Sequence, residues 1–166
     1  LIAPSDGSAQ ILGMDIGRQK EEILSRVGYM PSEASFYRNM RVKDVIKFSA
    51  ALRHRDCGTE AKRLCKRLEL DVNKKIRELS LGNRKKVSIV CALQHMPELC
   101  MLDEPTSGLD PLMQREFYAI LEERNKDGVT IFVSSHILTE VQRYCRHAAV
   151  IRNGRLLASD STQRLG

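Results

Sequence analysis

One run constrains the fold more than any other: Leu99-Cys100-Met101-Leu102-Asp103-Glu104-Pro105-Thr106-Ser107-Gly108-Leu109-Asp110. Four consecutive apolar residues, bounded by turn formers, describe a buried strand. Such strands belong to parallel sheets with both faces covered, so the run predicts an α/β chain. The carboxylates that end it lie at the strand's C-terminal edge, where open α/β sheets bind ligands. Asp103 can hold Mg2+ there, directly or through a water, beside nucleotide phosphates. Glu104, one residue further on, can take a proton from an attacking water or orient that water. The plainer alternative is two acids that finish a strand and open a turn; the length of the run, not the Asp-Glu pair, argues against it.

The rest of the chain alternates in the same sense. Gly7, Gly13 and Gly17 punctuate a β-rich start with a strand over Ala9–Leu12, and Arg26–Met30 is a second strand stopped by Pro31. Val42, Val45, Ile46, Ser49 and Leu52 follow the 3.6-residue period of a helix, as do Ala61, Leu64, Cys65 and Leu68, with Thr59 as the expected cap after Gly58. Gly82–Met96 is a third helical pattern, ended by Pro97. Asp110-Pro111 is an N-cap with a first-turn proline, opening a helix that Gly128 closes. Val129–Val133 predicts a buried strand, a short helix follows from Ile137, and Asn153-Gly154 predicts a hairpin. The expected organisation is an α/β body over 1–35 and 98–166, interrupted by an α-helical segment over 36–97.

Apolar residues make up 42% of the chain, a globular composition. No apolar stretch approaches the roughly 20 residues of a membrane span. The chain opens on Leu1, and Leu1–Gly7 does not resemble a signal peptide, so the start is read as a boundary within a longer protein. Five cysteines without a CxxC or a Cys/His cluster predict buried free thiols. The net charge of +6 is concentrated between Arg38 and Lys86. Solvated helix faces explain it, as does a surface beside anionic head groups or acidic partner loops; without interleaved aromatics, nucleic acid is not expected.

The run from Leu99 resembles the Walker B motif, catalytic glutamate and D-loop of the ATP-binding cassette (ABC) ATPases, and the resemblance extends in order over essentially the whole chain. Leu79-Ser80-Leu81-Gly82-Asn83 is similar to the family's LSGGQ signature, Val133-Ser134-Ser135-His136 to its switch-histidine segment, and Gly28-Tyr29-Met30-Pro31-Ser32-Glu33 to its Q-loop. Leu1–Asp15 is similar to the stretch after the family's first helix. The likeness is greatest to bacterial export-type (ABC-2-like) members, and it implies a RecA-like P-loop NTPase core with an inserted helical signature subdomain.

The resemblance also implies roles. Glu104 and His136 are the expected catalytic residues and Asp103 the metal ligand. Ser80, Gly82 and Asn83 would offer a helix N-terminus to the γ-phosphate of an ATP held by a second, head-to-tail domain, with Asp110 also contacting across that dimer. Ser32 stands where glutamine is usual and is too short to span from loop to metal as glutamine does; it is kept as an expected nucleotide-site residue, with Glu33 or a water as the compensation. ATP and Mg2+ are the implied ligands. Transmembrane permease subunits or domains are the implied partners, on the cytoplasmic side of a membrane.

No GxxxxGK[ST] loop occurs in the sequence. Such a loop would wrap the phosphates in N–H groups and supply a lysine and a metal-binding hydroxyl. The expectation is a cassette that begins after it, inactive alone and an ATPase when complete. Two further readings are a soluble ABC ATPase acting on DNA or ribosomes, and a non-catalytic regulatory cassette. The interval from Ser32 to Ser80 is too short for the coiled coil of chromosome-type members; Glu104 and His136 argue against a non-catalytic role, while the missing loop and Ser32 argue for it.

Overall fold

The computed structural model describes residues 5–165. Leu1–Pro4, the start of the stretch similar to the family's post-helix segment, lie outside the described residues, as does Gly166. The chain divides into two compact units, one running up to Val133 and one from Ser134.

In the first unit, β1 (Gln10–Ile11) and β2 (Met14–Asp15) pair antiparallel around a two-residue turn. Leu12 and Gly13 both take positive φ there, 53° and 76°. Tight hairpin turns require that conformation. Next comes α1 (Lys20–Arg26), a helix in the region expected to be β-rich. It buries only Ile23, too little for a periodic signal, although Glu21 and Glu22 in its first turn and Arg26 in its last suit the helix dipole. Strand β3 (Val27–Met30) follows at once.

Then come α2 (Val42–Ala51), α3 (Gly58–Arg67) and α4 (Leu81–Leu93). Helix α3 starts before Thr59: its N-cap is Cys57, and Asp56 accepts the Gly58 N–H at 3.0 Å. Helix α4 is the central element, packed against β3, α2 and α3. Gly28 makes its contact with β3 possible, since a Cβ there would lie 2.3 Å from the Ala92 carbonyl oxygen and 2.8 Å from Pro97.

Strand β4 (Leu99–Asp103) lies between β3 and β5 (Thr130–Ser134), parallel to β3 with Val27 opposite Leu99. Its side chains alternate. Cys100 and Leu102 join the main core with α4 and with α5 (Pro111–Lys126), while Leu99 and Met101 meet Met14, Ile23 and Val27 on the other face. Coverage of the sheet is unequal, against expectation. Val129–Val133 is not a fully buried strand: Ile131 and Val133 pack against the main core, whereas Phe132, on the opposite face, is 59% exposed. On that side the hairpin and α1 pack against β3 and β4, and they leave Tyr29 56% exposed.

The second unit contains α6 (Leu138–Tyr144), the antiparallel pair β6 (His147–Arg152) and β7 (Arg155–Ser161), and α7 (Thr162–Leu165). The Asn153-Gly154 turn forms as the sequence predicts, with φ of 51° and 72°. All five cysteines are free. Burial pushes the Cys91 thiol up to about 11 and Cys100 up to about 12, so both stay protonated near neutrality.

Candidate functional site

The site begins where β4 ends. Asp103 is the strand's last residue and Glu104 the first beyond it, both half-buried. Glu104 takes a left-handed backbone, with φ 44°. That conformation is costly for a residue with a Cβ. The next turn holds it there: Pro105 and Thr106 are buried, the Ser107 N–H donates to the Glu104 carbonyl at 3.3 Å, and the Leu109 N–H donates to the Thr106 carbonyl at 3.0 Å. Nothing in the sequence signals this strain, because glutamate has no preference for positive φ.

Asp110 closes the turn and caps α5, its carboxylate accepting the N–H groups of Leu112 and Met113, each at 3.0 Å. These bonds, that from Met113 foremost, hold the Asp110 carboxyl below its ordinary range.

Ser80 caps α4, its hydroxyl accepting the Asn83 N–H at 3.2 Å. The first turn of α4 lies directly against the turn after β4: a Cβ on Gly82 would sit 2.6 Å from the Gly108 carbonyl oxygen. Gly108 itself has φ 79° and faces the Leu81 side chain. Of the predicted site residues, Gly82 is therefore brought against the Ser107–Asp110 turn that follows Glu104, while Ser80 and Asn83 flank it in the same helix start.

Lys85 joins the remaining parts and was not singled out from the sequence. It is 5% exposed, and its ammonium donates to the Ser32 carbonyl at 2.7 Å. Burial pulls its pKa below the usual lysine value, while the charges of Asp103, Glu104 and Glu33 pull it upward. Ser32 thus enters the site through its main chain, its residue being exposed. In sequence, Arg84-Lys85-Lys86 reads as a solvated charge run; in fact Lys85 and Lys86 are both buried. The available signal was the unbroken apolar run Ile89-Val90-Cys91-Ala92-Leu93 later in the same helix, longer than one turn and so not confined to one face. His136 belongs to the second unit, exposed just ahead of α6, where the Ser135 hydroxyl accepts the Ile137 N–H at 3.1 Å.

Among the described residues, no group of three or more His, Cys, Asp or Glu could hold a metal by itself. The Asp103–Glu104 edge supplies carboxylate oxygens only. That fits Mg2+, which binds through one or two carboxylates and takes its other ligands from phosphates and water.

The ABC transporter family model matches residues 1–107. The chain is 32% identical over 170 aligned residues to YbhF, a probable multidrug ABC transporter ATP-binding protein of Escherichia coli (strain K12), covering 99% of this chain and 29% of that protein. It is 35% identical to the bacitracin transport ATP-binding protein BcrA of Bacillus licheniformis, covering 95% of this chain and 52% of BcrA. The chain thus spans about half or less of these relatives. A solved ATP-binding subunit of an ABC transporter superposes with a TM-score of 0.89 at 27% identity, covering 98% of this chain and 70% of that one. A dimeric bacterial ABC transporter cassette shares the fold, with a TM-score of 0.85 at 20% identity, covering 96% of this chain and 75% of that one.

Proposed function

This chain belongs to the ABC transporter family and has its P-loop NTPase fold, and from that premise we propose that the complete protein is an ATP-binding, ATP-hydrolysing subunit that powers translocation across a membrane. The observation that carries the reading is the Asp103–Glu104 pair at the C-terminal end of β4, with Glu104 held in a strained backbone beside the Ser80-capped helix.

Asp103 would hold Mg2+, which when bound neutralises phosphate charge. The Glu104 carboxylate would accept the proton of the water that attacks the γ-phosphate. His136 would contact a γ-phosphate oxygen. Ser80, Gly82 and Asn83 would present the N-terminus of α4 to an ATP bound by a second ATP-binding domain, and Asp110 would meet that domain across the dimer. In this reading residues 36–97 form the helical subdomain and 1–35 with 98–166 the α/β core. The partners are transmembrane permease components, which place the protein on the cytoplasmic face. The names of the relatives support a transport role, and no helix among the described residues is long and apolar enough to cross a membrane.

The test is Glu104→Gln in the cassette joined to a segment bearing the GxxxxGK[ST] loop. Glutamine keeps the shape and removes the base. ATP affinity should survive, single-turnover hydrolysis should fall by roughly 10²–10⁴-fold, and the ATP-bound dimer should accumulate on size-exclusion chromatography. Wild-type turnover, or failure to bind ATP, would refute the assignment.

A further inference from the structure

Ser32 is exposed and carries a side chain too short to reach across the site, yet its loop is tied to the site from the other side. The tie is the Lys85 ammonium, on a 5% exposed residue in the second turn of α4, bonded to the Ser32 carbonyl at 2.7 Å. A buried ammonium is tolerated only where charge and hydrogen bonding offset its lost hydration. Here the offset comes from that carbonyl and from the field of Asp103, Glu104 and Glu33. One side chain therefore ties the loop after β3 to the helix opened by Ser80, next to the end of β4, where Met30 of β3 pairs with Leu102.

We propose that Lys85 is a positioning residue that fastens the Ser32 loop to helix α4 and offsets the charge of Asp103 and Glu104 from within the protein. This deepens the reading of those two carboxylates as the nucleotide site and rests on it for its charge component. Two consequences separate. The hydrogen bond orders the loop whether or not nucleotide is present. The charge opposes a second cation at the same carboxylates, so its removal strengthens Mg2+ binding.

The experiment uses the complete cassette with Lys85→Met, Lys85→Gln and Lys85→Arg. Amide hydrogen exchange of residues 32–35 is followed without nucleotide, and the half-saturating Mg2+ concentration is measured by calorimetry at fixed ADP. In Lys85→Met, loop exchange should accelerate about tenfold and half-saturating Mg2+ should fall roughly three- to tenfold, the scale of one nearby charge removed. Lys85→Gln should restore loop protection but not the Mg2+ midpoint, and Lys85→Arg should restore both. If Lys85→Met does not fold, Lys85→Leu, which likewise removes both donor and charge, takes its place in both measurements. Unchanged loop exchange overturns the tether, and an unchanged Mg2+ midpoint overturns the charge offset. If even the unsubstituted cassette binds no ADP, the nucleotide-site reading fails and the charge offset falls with it, while the exchange measurement still decides the tether.

Discussion

His95 shows how one buried residue sets a pH response outside the site. It follows α4 and is 2% exposed, with Nε2 3.2 Å from the Val27 carbonyl oxygen. A carbonyl only accepts, so Nε2 carries the proton, and Nδ1 is left buried without a hydrogen-bond partner. Burial, with the nearby charge of Arg53, pulls the imidazole down to about 4. Below the ordinary value of about 6.5, the unfolded chain takes up a proton that the folded one refuses until about pH 4. The unfolded state binds more protons across that window, so the contribution of His95 to stability is whole above it and is lost as pH falls through it. The slope reaches at most about 1.4 kcal/mol per pH unit. Urea midpoints from pH 4 to 7 should show the decline in wild type and a flatter profile in His95→Gln. Parallel profiles would show that His95 does not titrate differently on folding. Burial separates His95 from His54 and His147, both of which are exposed.

Between elements, the basic residues assigned to solvated faces do more specific work. Arg63 and Arg67 of α3 bridge Glu123 of α5 at 3.3 and 2.5 Å, and Arg67 also meets Glu116 at 2.5 Å. Arg124 of α5, whose side chain is 4% exposed, pairs with Glu60 of α3. Removing one partner of a buried pair leaves the other charge stranded. Glu60→Gln should therefore lower unfolding free energy by about 3 kcal/mol. Glu122→Gln, which breaks the exposed Lys126–Glu122 pair, should cost under about 0.5 kcal/mol. Urea unfolding with unchanged m-values checks the contrast, and equal effects would mean that Arg124 finds another partner. Helical periodicity located α3, and the Asp110-Pro111 cap with Gly128 located α5, but the pairing of their charges depends on how the two helices cross, which local signals do not encode.

For the whole molecule, the unequal coverage of the sheet matters most. Tyr29 and Phe132, more than half exposed, lie on the face opposite α4 and α5, with the partly buried Leu99 and Met101 between their strands. Apolar surface of this kind favours association. Residues 1–166 alone should show a concentration-dependent increase in mass by light scattering, reduced by Phe132→Ser. A sharp monomeric peak across the micromolar range would argue against a sticky sheet face.

Much was present in the sequence because it is local. The apolar run that ends in Asp103-Glu104, the Asp110-Pro111 cap and the Asn153-Gly154 turn each depend on a few adjacent residues, and each lies where the sequence pattern predicted. What the fold alone decided involves residues far apart in the chain. Gly82 must lack a side chain because Gly108 closes on it; Lys85 can be buried because the loop carbonyl of Ser32 accepts from its ammonium; Glu104 is strained because the turn after it is packed. A one-dimensional pattern records which residue types recur and at what interval. It does not record which distant backbone atom arrives within contact distance, and here that arrival turns a glycine and a lysine into parts of the site.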